Sequence, residues 1–508
     1  MSSMHASVAP ANPYVGPRPF RRGELFYGRE RDVADLVNTL VSARTVLFHS
    51  PSGAGKTSLI QAGVIPAFEK RRFQICARRR ADSAPLRVNE PVPKGLRVDN
   101  RYAFSVITAM LGSLRSPIKL LSCTISEALD LLAKQPDAKE RQLIVIDQFE
   151  ELLTLDPTDQ DGQRAFFQQL GEALDKPNRW ALLAMREDYM GGLDSYVGHI
   201  PGQLRSTYRL DFLESGGALT AIQTPADVRG VTFRDDAASL LVEDLSRISV
   251  EAPETGVVLQ KGRYVEPVLL QVVCKELWQK LSDQYGPNFR IVAADDVQGF
   301  GPLDAALAQY YRHGVHTAVG DNLAAEREVR DWIDRKLITQ QQFRGQSRIK
   351  PDVSDKDQVL RSLQDRYLIR AELHTSGTWW ELSHDRLIAP IISDNEVWRH
   401  ENLQPWQEAA DHWHRSGRKK EFLLTGDAYL SAQLQSRKAS NIKEVERDFL
   451  EESGQLSRQL EESRRASAAE RLIQKLRVRT LFLLYFAFFS FQLNIILLVY
   501  IILRLHIL

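Results

Sequence analysis

Residues 50–57 have the composition and spacing of a loop that binds phosphate groups. The segment SPSGAGKT fits the pattern GxxxxGK[ST], except that Ser50 replaces the first glycine. Gly53 and Gly55 let the backbone turn its N–H groups inward, and the helix that begins near Lys56 adds a positive dipole end. Lys56 is expected to reach the β- and γ-phosphates, and Thr57 to bind Mg²⁺. The residues predicted to contact a nucleotide here are Ser52, Gly53, Ala54, Gly55, Lys56, Thr57 and Ser58.

A second candidate for chemistry is the acidic end of the apolar run LIVIDQFEE, residues 143–151. A buried strand that ends in a carboxylate would place Asp147 opposite the phosphate loop, where it would hold Mg²⁺ through water. Glu150 and Glu151 are candidates to orient or activate the attacking water. Alone, the run fits any strand followed by a polar turn. Combined with the phosphate loop, it predicts a nucleotide site with Thr57 and Asp147 at the metal.

Arg186 is the third candidate, because it directly follows the apolar run WALLAM. A guanidinium at the end of a buried strand can sense a γ-phosphate. The same residue is equally well explained as a surface arginine paired with Glu187 or Asp188. The sequence leaves both interpretations open.

These residues need a parallel sheet to bring them together. Apolar runs at residues 45–49, 141–146 and 180–185 have the pattern of buried strands. Helical patterns lie between them at residues 30–41, 125–134 and 163–175, and a further helix begins near Lys56. Strands that alternate with helices predict an α/β domain with a parallel sheet covered on both faces.

After residue 215 the pattern becomes mainly helical. Helices are predicted at residues 217–228, 236–247 and 265–283, with a polar loop at 250–261. Residues 301–395 contain three helical patterns and end in the hairpin signal LIRAEL–HTSG–TWWEL, which suggests a winged-helix module. The predicted domains are an extended leader (1–24), an α/β domain (25–215), a helical lid (216–300), a winged-helix domain (301–395), a charged helical linker (396–478) and a transmembrane helix (479–504).

Composition limits the classes of function. The 508 residues include 66 basic and 65 acidic side chains, so overall charge gives no reason to expect a nucleic-acid partner. Cys76, Cys123 and Cys274 lie far apart without a CxxC pair, which favours reduced thiols over a zinc site. The short basic cluster at residues 78–80 is interpreted as a solvated or nucleotide-proximal loop.

The C-terminal region predicts one membrane-spanning helix. Residues 480–503 carry no charge, and about 20 apolar residues span a bilayer core. The alternative is a buried helix of a soluble protein. Basic residues before the run place the large N-terminal body on the cytoplasmic side of the membrane. These residues are Arg464, Arg465, Arg471, Lys475, Arg477 and Arg479. The membrane is expected to be a bacterial inner membrane.

Several of these segments together resemble the novel STAND NTPase family, a bacterial branch of signal-transduction ATPases related to AAA+ proteins. The matching stretches follow in colinear order over residues 12–460. They include NPYVGPRPF and LFYGRE within 12–30, the phosphate loop with SLIQAGVIP at 50–66, LIVIDQFEELLTL at 143–155, MREDYM at 185–190, HIPGQLRSTYRL at 199–210, YVEPVLLQVVCKELW at 264–278 and WELSHDRLIAPI at 380–391.

The resemblance implies roles for residues whose chemistry alone does not assign them. Tyr27, Gly28 and Arg29 would lie beside the adenine, and Arg186 would be the sensor arginine. Pro225 is similar to the lid proline near the base. His384 is similar to the winged-helix histidine that touches the ADP phosphate and locks the resting state. The resemblance also favours ATP and ADP over guanine nucleotides.

Three functions compete. The first is an ATP-dependent signalling switch, closed with ADP and open and oligomeric with ATP, that hydrolyses ATP slowly. The second is a membrane effector of a bacterial defence or cell-suicide system, in which clustering brings Phe-rich helices together. The third, a winged-helix DNA-binding regulator, lacks a pronounced basic helix in residues 301–395. Since the sequence ends five residues after the span, at Leu508, no ligand-sensing repeat is expected beyond it, and the trigger or partner stays unassigned.

Overall fold

The computed structural model describes residues 10–77, 84–89, 92–93, 95–112, 114, 116–252, 256–339, 344–374, 377–437 and 442–505. The chain divides into two compact units, residues 1–395 and 396–508. The basic cluster at 78–80 and residues 375–376 of the expected hairpin turn lie outside the described residues.

The first unit begins with a five-stranded sheet in which every neighbouring pair is parallel. Its strand order is β2-β3-β4-β1-β5. The three strands expected from their apolar runs are β1, β3 and β4, whereas β2 and β5 were not predicted. The strands are β1 Thr45–Ser50, β2 Phe73–Cys76, β3 Arg141–Ile146, β4 Arg179–Arg186 and β5 Thr207–Arg209.

Both faces of the sheet are buried, which is why its strands read as continuous apolar runs. Along β3, Leu143 and Val145 pack into one core, and Ile144 and Ile146 pack into the other. Burial of each such side chain contributes about 1.5–3 kcal/mol. The covering helices are α1 Glu30–Ala43, α2 Lys56–Ser58, α3 Ile65–Lys70, α4 Arg101–Leu111, α5 Ile125–Ala133, α6 Glu151–Thr154 and α7 Gln160–Leu174, with a π-helical stretch, Leu59–Val64, joining α2 to α3.

Strand register sets the positions of the chemistry-bearing residues. Ser50 at the end of β1 pairs with Arg186 at the end of β4. Asp147 follows Ile146, the last residue of β3, and the Phe149 amide donates to the Ala184 carbonyl at 2.8 Å. Since the carboxyl ends of parallel strands share one edge, the phosphate loop, the acidic segment and Arg186 all lie there.

The region after the sheet contains the predicted helices and one unexpected hairpin. Strands β8 and β9 pair antiparallel from Arg247↔Lys261 to Ala252↔Gly256, where a polar loop was predicted. That prediction was wrong because RISVEA and GVVLQK each carry β-favouring residues that the polar residues between them obscure. The elements are β6 Leu213–Glu214, α8 Ser215–Val228, β7 Thr232–Phe233, α9 Asp235–Leu245, β8 Arg247–Ala252, β9 Gly256–Lys261, β10 Tyr264–Val265, α10 Pro267–Tyr285, β11 Ile291–Val292 and α11 Ala294–Phe300.

Residues from 303 onward combine helices with a three-stranded antiparallel sheet of order β12-β14-β13. One continuous core joins them to the preceding helices and to Tyr14 of the leader. The elements are α12 Leu303–Val319, α13 Leu323–Trp332, β12 Gln346–Ser347, α14 Lys356–Asp365, β13 Ile369–His374, β14 Gly377–Leu382 and α15 Ile388–Asn402, and a π-helical stretch, Ile333–Leu337, follows α13.

The second unit is helical, with a small core of Ala410, Trp413 and Phe449. Its helices are α16 Pro405–Arg415, α17 Gly426–Ser436 and α18 Glu444–Leu505. Helix α18 runs without a break from the last part of the expected charged linker through the apolar run. An 18-residue window of α18 has a mean hydropathy of 2.2 and is not buried, so by length and composition this helix could cross a membrane.

Candidate functional site

A cavity of about 1080 Å³ opens at the carboxyl edge of the parallel sheet. The leader, the phosphate loop, helices α8 and α10, and the β13–β14 hairpin all contribute to its wall. Of the residues predicted to form the site, the wall contains Tyr27, Arg29, Ser52, Gly53, Ala54, Gly55, Lys56, Thr57, Ser58, Asp147, Glu150, Glu151, Arg186, Pro225 and His384.

The phosphate loop has the backbone that its glycines predict. Gly53 and Gly55 adopt positive φ angles of 80° and 96°, which favour glycine. A side chain at Gly53 is also excluded by contact, because a Cβ there would lie 2.7 Å from Cε1 of His384. Helix α2 begins at Lys56, so its N-terminal amides face the cavity where an anion is stabilised.

Lys56 is held by the residue that replaces the first glycine. Its Nζ donates to the Ser50 hydroxyl at 2.8 Å, and Ser50 is fully buried. Burial lowers the pKa of Lys56, and the nearby Glu150 and Asp147 carboxylates oppose that effect. Ser50 therefore keeps the ammonium group at the mouth of the loop, where a phosphate could replace the hydroxyl as its partner.

Thr57 and Asp147 form a direct contact. The Thr57 hydroxyl donates to Oδ2 of Asp147 at 2.6 Å, and Asp147 is only 3% exposed. The Gln148 amide donates to the other carboxylate oxygen at 2.9 Å. An alcohol and a carboxylate at this distance fit the protein part of a nucleotide–Mg²⁺ site, whose other ligands are phosphate oxygens and water.

Glu150 and Glu151, the two glutamates that follow Asp147, have different surroundings. The Arg186 amide donates to Oε2 of Glu150 at 3.3 Å, and burial raises the pKa of Glu150. For Glu151, burial raises the pKa to about 8, an effect that nearby Arg87 opposes. Among the described residues, Oε2 of Glu151 has no hydrogen-bond partner.

Arg186 has an acidic neighbour as well as a place in the cavity wall. Its guanidinium donates to Asp188 at 2.8 Å and lies over the Tyr189 ring, 5.4 Å from the ring centre. The side chain is 19% exposed. The surface pairing considered from the sequence is thus present, and it coexists with a position from which the guanidinium can reach a ligand.

His384 lies against the phosphate loop and is 7% exposed. Its Cε1 faces Gly53, and its Nδ1 lies 2.7 Å from Oε2 of Glu266. His384 lies just after β14, in the segment 369–384 that we call the hairpin region. It thus contacts both the phosphate loop and Glu266, the residue before helix α10.

The residues assigned to the base by resemblance divide into two groups. Tyr27 and Pro225 line the cavity, and Pro225 lies inside helix α8. Arg29 is 7% exposed, and its guanidinium donates to the carbonyls of Ala54 and Asp211 at 3.1 and 2.7 Å. Gly28 does not line the cavity. A Cβ at this position would lie 2.2 Å from the Gly217 carbonyl oxygen. In this structure Arg29 braces the phosphate loop, and Gly28 allows helix α8 to approach.

Several wall residues were not predicted. The leader supplies Pro17, Pro19 and Phe20, and the hairpin supplies Arg370, which pairs with Glu381. Burial and the nearby Arg186 lower the pKa of Arg370. Glu266, which contacts His384 but does not line the cavity, was also missed, although it lies in the segment YVEP, which carries the resemblance. The segment NPYVGPRPF, with the buried Tyr14 and Phe20, is the part of the sequence that could have indicated the role of the leader.

The parallel sheet, the glycine loop ahead of α2 and the acidic strand end define a P-loop NTPase. The family described as novel STAND NTPase 1 matches residues 13–421. The chain belongs to this family, as the resemblance in its sequence predicted.

Comparison with solved structures returned low overall similarity. A Walker-type ATPase of Pyrococcus abyssi has a TM-score of 0.37 at 13% identity, covering 74% of this chain and 98% of the other. The ORC2 protein of Aeropyrum pernix, solved as ADPNP–ADP complexes, has a TM-score of 0.37 at 15% identity, covering 74% and 96%. Its ADP form has a TM-score of 0.35 at 16% identity, with the same coverage. Comparison with curated proteins found no match.

Proposed function

We propose that the chain is a membrane-anchored, ATP-binding signalling switch with a closed ADP state and an open, oligomerising ATP state. The observation that carries this proposal is the position of His384, whose ring lies against Gly53 of the phosphate loop. A nucleotide in the cavity would contact both the α/β domain and the hairpin region. Its phosphates could therefore control whether the two regions stay together.

Each residue of the site has a proposed task. Lys56 would exchange the Ser50 hydroxyl for phosphate oxygens, while Thr57 and Asp147 would hold Mg²⁺. The ion would neutralise charge on the β- and γ-phosphates. Glu150 or Glu151 would orient water, and Arg186 would contact the γ-phosphate. Hydrolysis would be slow, because burial raises the pKa of Glu151 to about 8 and a protonated carboxyl cannot accept a proton from water. Hydrolysis would reset the switch.

The switch needs contacts that differ between its two nucleotide states. With ADP, His384 would reach the terminal phosphate and keep the hairpin region on the loop. With ATP, the additional phosphate would meet Arg186 and disfavour the His384 position. We propose that the released surface then pairs with a second copy of the chain.

The domain boundaries predicted from the sequence remain our proposed division. We interpret residues 216–300 as the lid and 301–395 as the winged-helix domain, in which β13 and β14 form the wing. The three-stranded antiparallel sheet beside α12, α13 and α14 supports this interpretation. A regulatory contact with the nucleotide favours an internal role for this domain over DNA binding.

Residues 480–503 would anchor the protein in a bilayer. The apolar side chains of this part of α18 are exposed, for example Phe482 at 72% and Phe489 at 73%. Lipid is an environment that covers such a surface. The basic residues on its N-terminal side support a cytoplasmic location for the nucleotide-binding unit.

Nucleotide binding can be tested with one lysine and a matched control. Lys56→Ala should abolish ATP and ADP binding to the purified protein, because no other ammonium group is held at the loop mouth in the described cavity wall. Lys70→Ala removes an exposed lysine at the end of α3 and should bind like the wild type. Titration calorimetry, with identification of the retained nucleotide, measures both. Wild-type affinity in Lys56→Ala would contradict the proposal.

A membrane effector is the second candidate, favoured by the exposed phenylalanines of α18. Clustering of the cytoplasmic unit would bring these side chains together and perturb the bilayer. Deletion of residues 480–508 should then abolish toxicity and dye leakage on overexpression while nucleotide binding persists. Unchanged leakage would exclude the effector and leave the switch intact.

A further inference from the structure

Glu266 stands where three regions of the first unit meet. It immediately precedes Pro267, the first residue of helix α10. Its carboxylate Oε2 lies 2.7 Å from Nδ1 of His384. The adjacent ring carbon, Cε1, lies 2.7 Å from the position that a Cβ on Gly53 would occupy. One histidine thus joins the lid, the hairpin region and the phosphate loop.

The position of Glu266 separates it from residues that touch a nucleotide. Pro267 and Val268 line the cavity, whereas Glu266 does not. Because Glu266 contacts His384, which does line the cavity, we expect Glu266 to act on a nucleotide through that residue. The Glu266 side chain is 32% exposed, and that of His384 is 8% exposed, so the pair is largely removed from water.

The charges around Glu266 keep it ionised. Burial alone would raise its pKa, but His384, Arg344 and Arg386 together lower the pKa below its ordinary value. Arg344 lies 3.9 Å from Glu381, and Arg386 donates to the Arg247 carbonyl at 2.7 Å. An ionised carboxylate 2.7 Å from Nδ1 attracts a protonated imidazole and favours one orientation of its ring.

We infer that Glu266 is a positioning residue that holds His384 over the phosphate loop and thereby makes the lid part of the closed ADP state. When both ring nitrogens carry a proton, Nδ1–H faces Glu266 and Nε2–H is the donor that meets a phosphate oxygen. Loss of the carboxylate would let the imidazole rotate away from Gly53. This inference rests on the proposed role of His384 in the ADP state.

The test measures ADP release from the full-length protein in detergent. A fluorescent ADP analogue is displaced by excess ADP from the wild type, Glu266→Gln, His384→Ala and the double variant. Each single variant should release ADP about tenfold faster, equivalent to about 1.4 kcal/mol. The double variant should be no faster than His384→Ala, because both changes remove the same contact.

Controls separate positioning from general destabilisation. Glu214→Gln removes an exposed carboxylate of β6, which pairs with the lid residue Arg263 at 2.8 Å, and should release ADP at the wild-type rate. Glu266→Gln should release a non-hydrolysable ATP analogue at the wild-type rate, since the proposed ATP state does not use His384. A purely structural role of Glu266 would accelerate the release of both nucleotides.

Two results would overturn the inference. One is wild-type ADP release from Glu266→Gln while His384→Ala is accelerated, and the other is multiplication of the two effects in the double variant. If Glu266→Gln melts below the assay temperature, Glu266→Asp decides: wild-type release would contradict the inference, because the shorter side chain breaks the contact with Nδ1. Failure of the proposed function would give a different result from failure of this inference, since Lys56→Ala would then also bind nucleotide normally.

Discussion

Asp147 connects the strand end to the residue that opens helix α2. Its Oδ2 accepts the Thr57 hydroxyl at 2.6 Å, so a change of charge here is expected to act on the proposed Mg²⁺ site and on the loop together. Asp147→Asn should lower the affinity for Mg²⁺–ATP by about 10–100-fold, the usual loss when a group supporting a metal is replaced. Binding in EDTA should change little. Nucleotide titration with and without Mg²⁺ measures both.

The matched control for this prediction is Asp156→Asn, which removes a carboxylate that accepts the Thr158 hydroxyl in an exposed turn. Its Mg²⁺ dependence should equal that of the wild type. Equal losses for Asp147→Asn with Mg²⁺ and in EDTA would place Asp147 in loop folding alone and remove it from the metal site.

Glu151 predicts a pH dependence of stability. Burial raises its pKa to about 8, so the folded protein favours the protonated carboxyl. The stability that Glu151 contributes is fully present below its unfolded-state pKa, about 4.3, and is lost as pH rises through about 8. Glu151→Gln, which stays neutral, should therefore be more stable than the wild type at pH 8.5 by about 1–2 kcal/mol. Thermal denaturation at pH 5 and pH 8.5 measures the difference.

Glu172→Gln provides the comparison, because Glu172 is exposed on helix α7. It should show the same change in melting temperature between the two pH values as the wild type. A wild-type pH dependence in Glu151→Gln would mean that Glu151 is ionised and solvated in the folded protein.

The phosphate loop and the acidic strand end could be predicted because each is local. Gly53, Lys56 and Thr57 lie within one short loop, and the apolar run of β3 indicates that Asp147 lies at the end of a strand. Glu266 and His384 form a pair only through tertiary packing, and no local pattern indicates such a partner. For the same reason Arg29, assigned to the base by resemblance, gave no sign of its contacts with Ala54 and Asp211.

Among the elements, the leader is the one whose role the sequence least revealed. Tyr14 is 3% exposed, and its hydroxyl donates to the Ile222 carbonyl of α8 at 2.6 Å. The Val15 amide donates to Gln271 of α10 at 3.1 Å, and the Phe20 amide donates to the Ser58 hydroxyl at 3.2 Å. The leader thus joins helices α8 and α10 to the end of the phosphate loop.

Tyr14→Phe should weaken this connection. It removes one buried hydrogen bond, which costs about 1–2 kcal/mol, while the ring keeps its edge contact with Trp278. The urea midpoint of the first unit should fall. Tyr264→Phe, whose half-buried ring lies under Arg263, should leave the midpoint unchanged. Equal midpoints for Tyr14→Phe and the wild type would show that the leader contact does not stabilise the lid.

The accuracy of the strand predictions follows burial. Strands β1, β3 and β4 have buried apolar interiors, so their runs were recognisable. Strand β2 contains only four residues, FQIC, and the edge strand β5 is short and mostly exposed. Such strands are defined by their neighbours, here β3 and β1, and not by their own periodicity.

At the scale of the whole molecule, the two units differ in how their apolar residues are covered. The first unit buries them in three cores around the sheet and the lid. In the second unit, helix α18 carries 62 residues, and its apolar C-terminal part stays exposed. Packing inside the protein therefore accounts for the first unit, and the surface of α18 calls for a bilayer or another apolar partner.

The orientation that we propose in a bilayer rests on charge and can be tested by design. Arg471, Lys475, Arg477 and Arg479 lie just before the span, and Arg504 follows it. Because basic residues stay on the cytoplasmic side, a reporter fused to the N-terminus should be cytoplasmic. Replacing the four residues by glutamine should expose that reporter outside in a measurable fraction of molecules. Replacing the more distant Arg464 and Arg465 should have a smaller effect, since the bias is greatest near the span. A cytoplasmic reporter in every variant would mean that the folded unit, and not the flanking charge, decides the orientation.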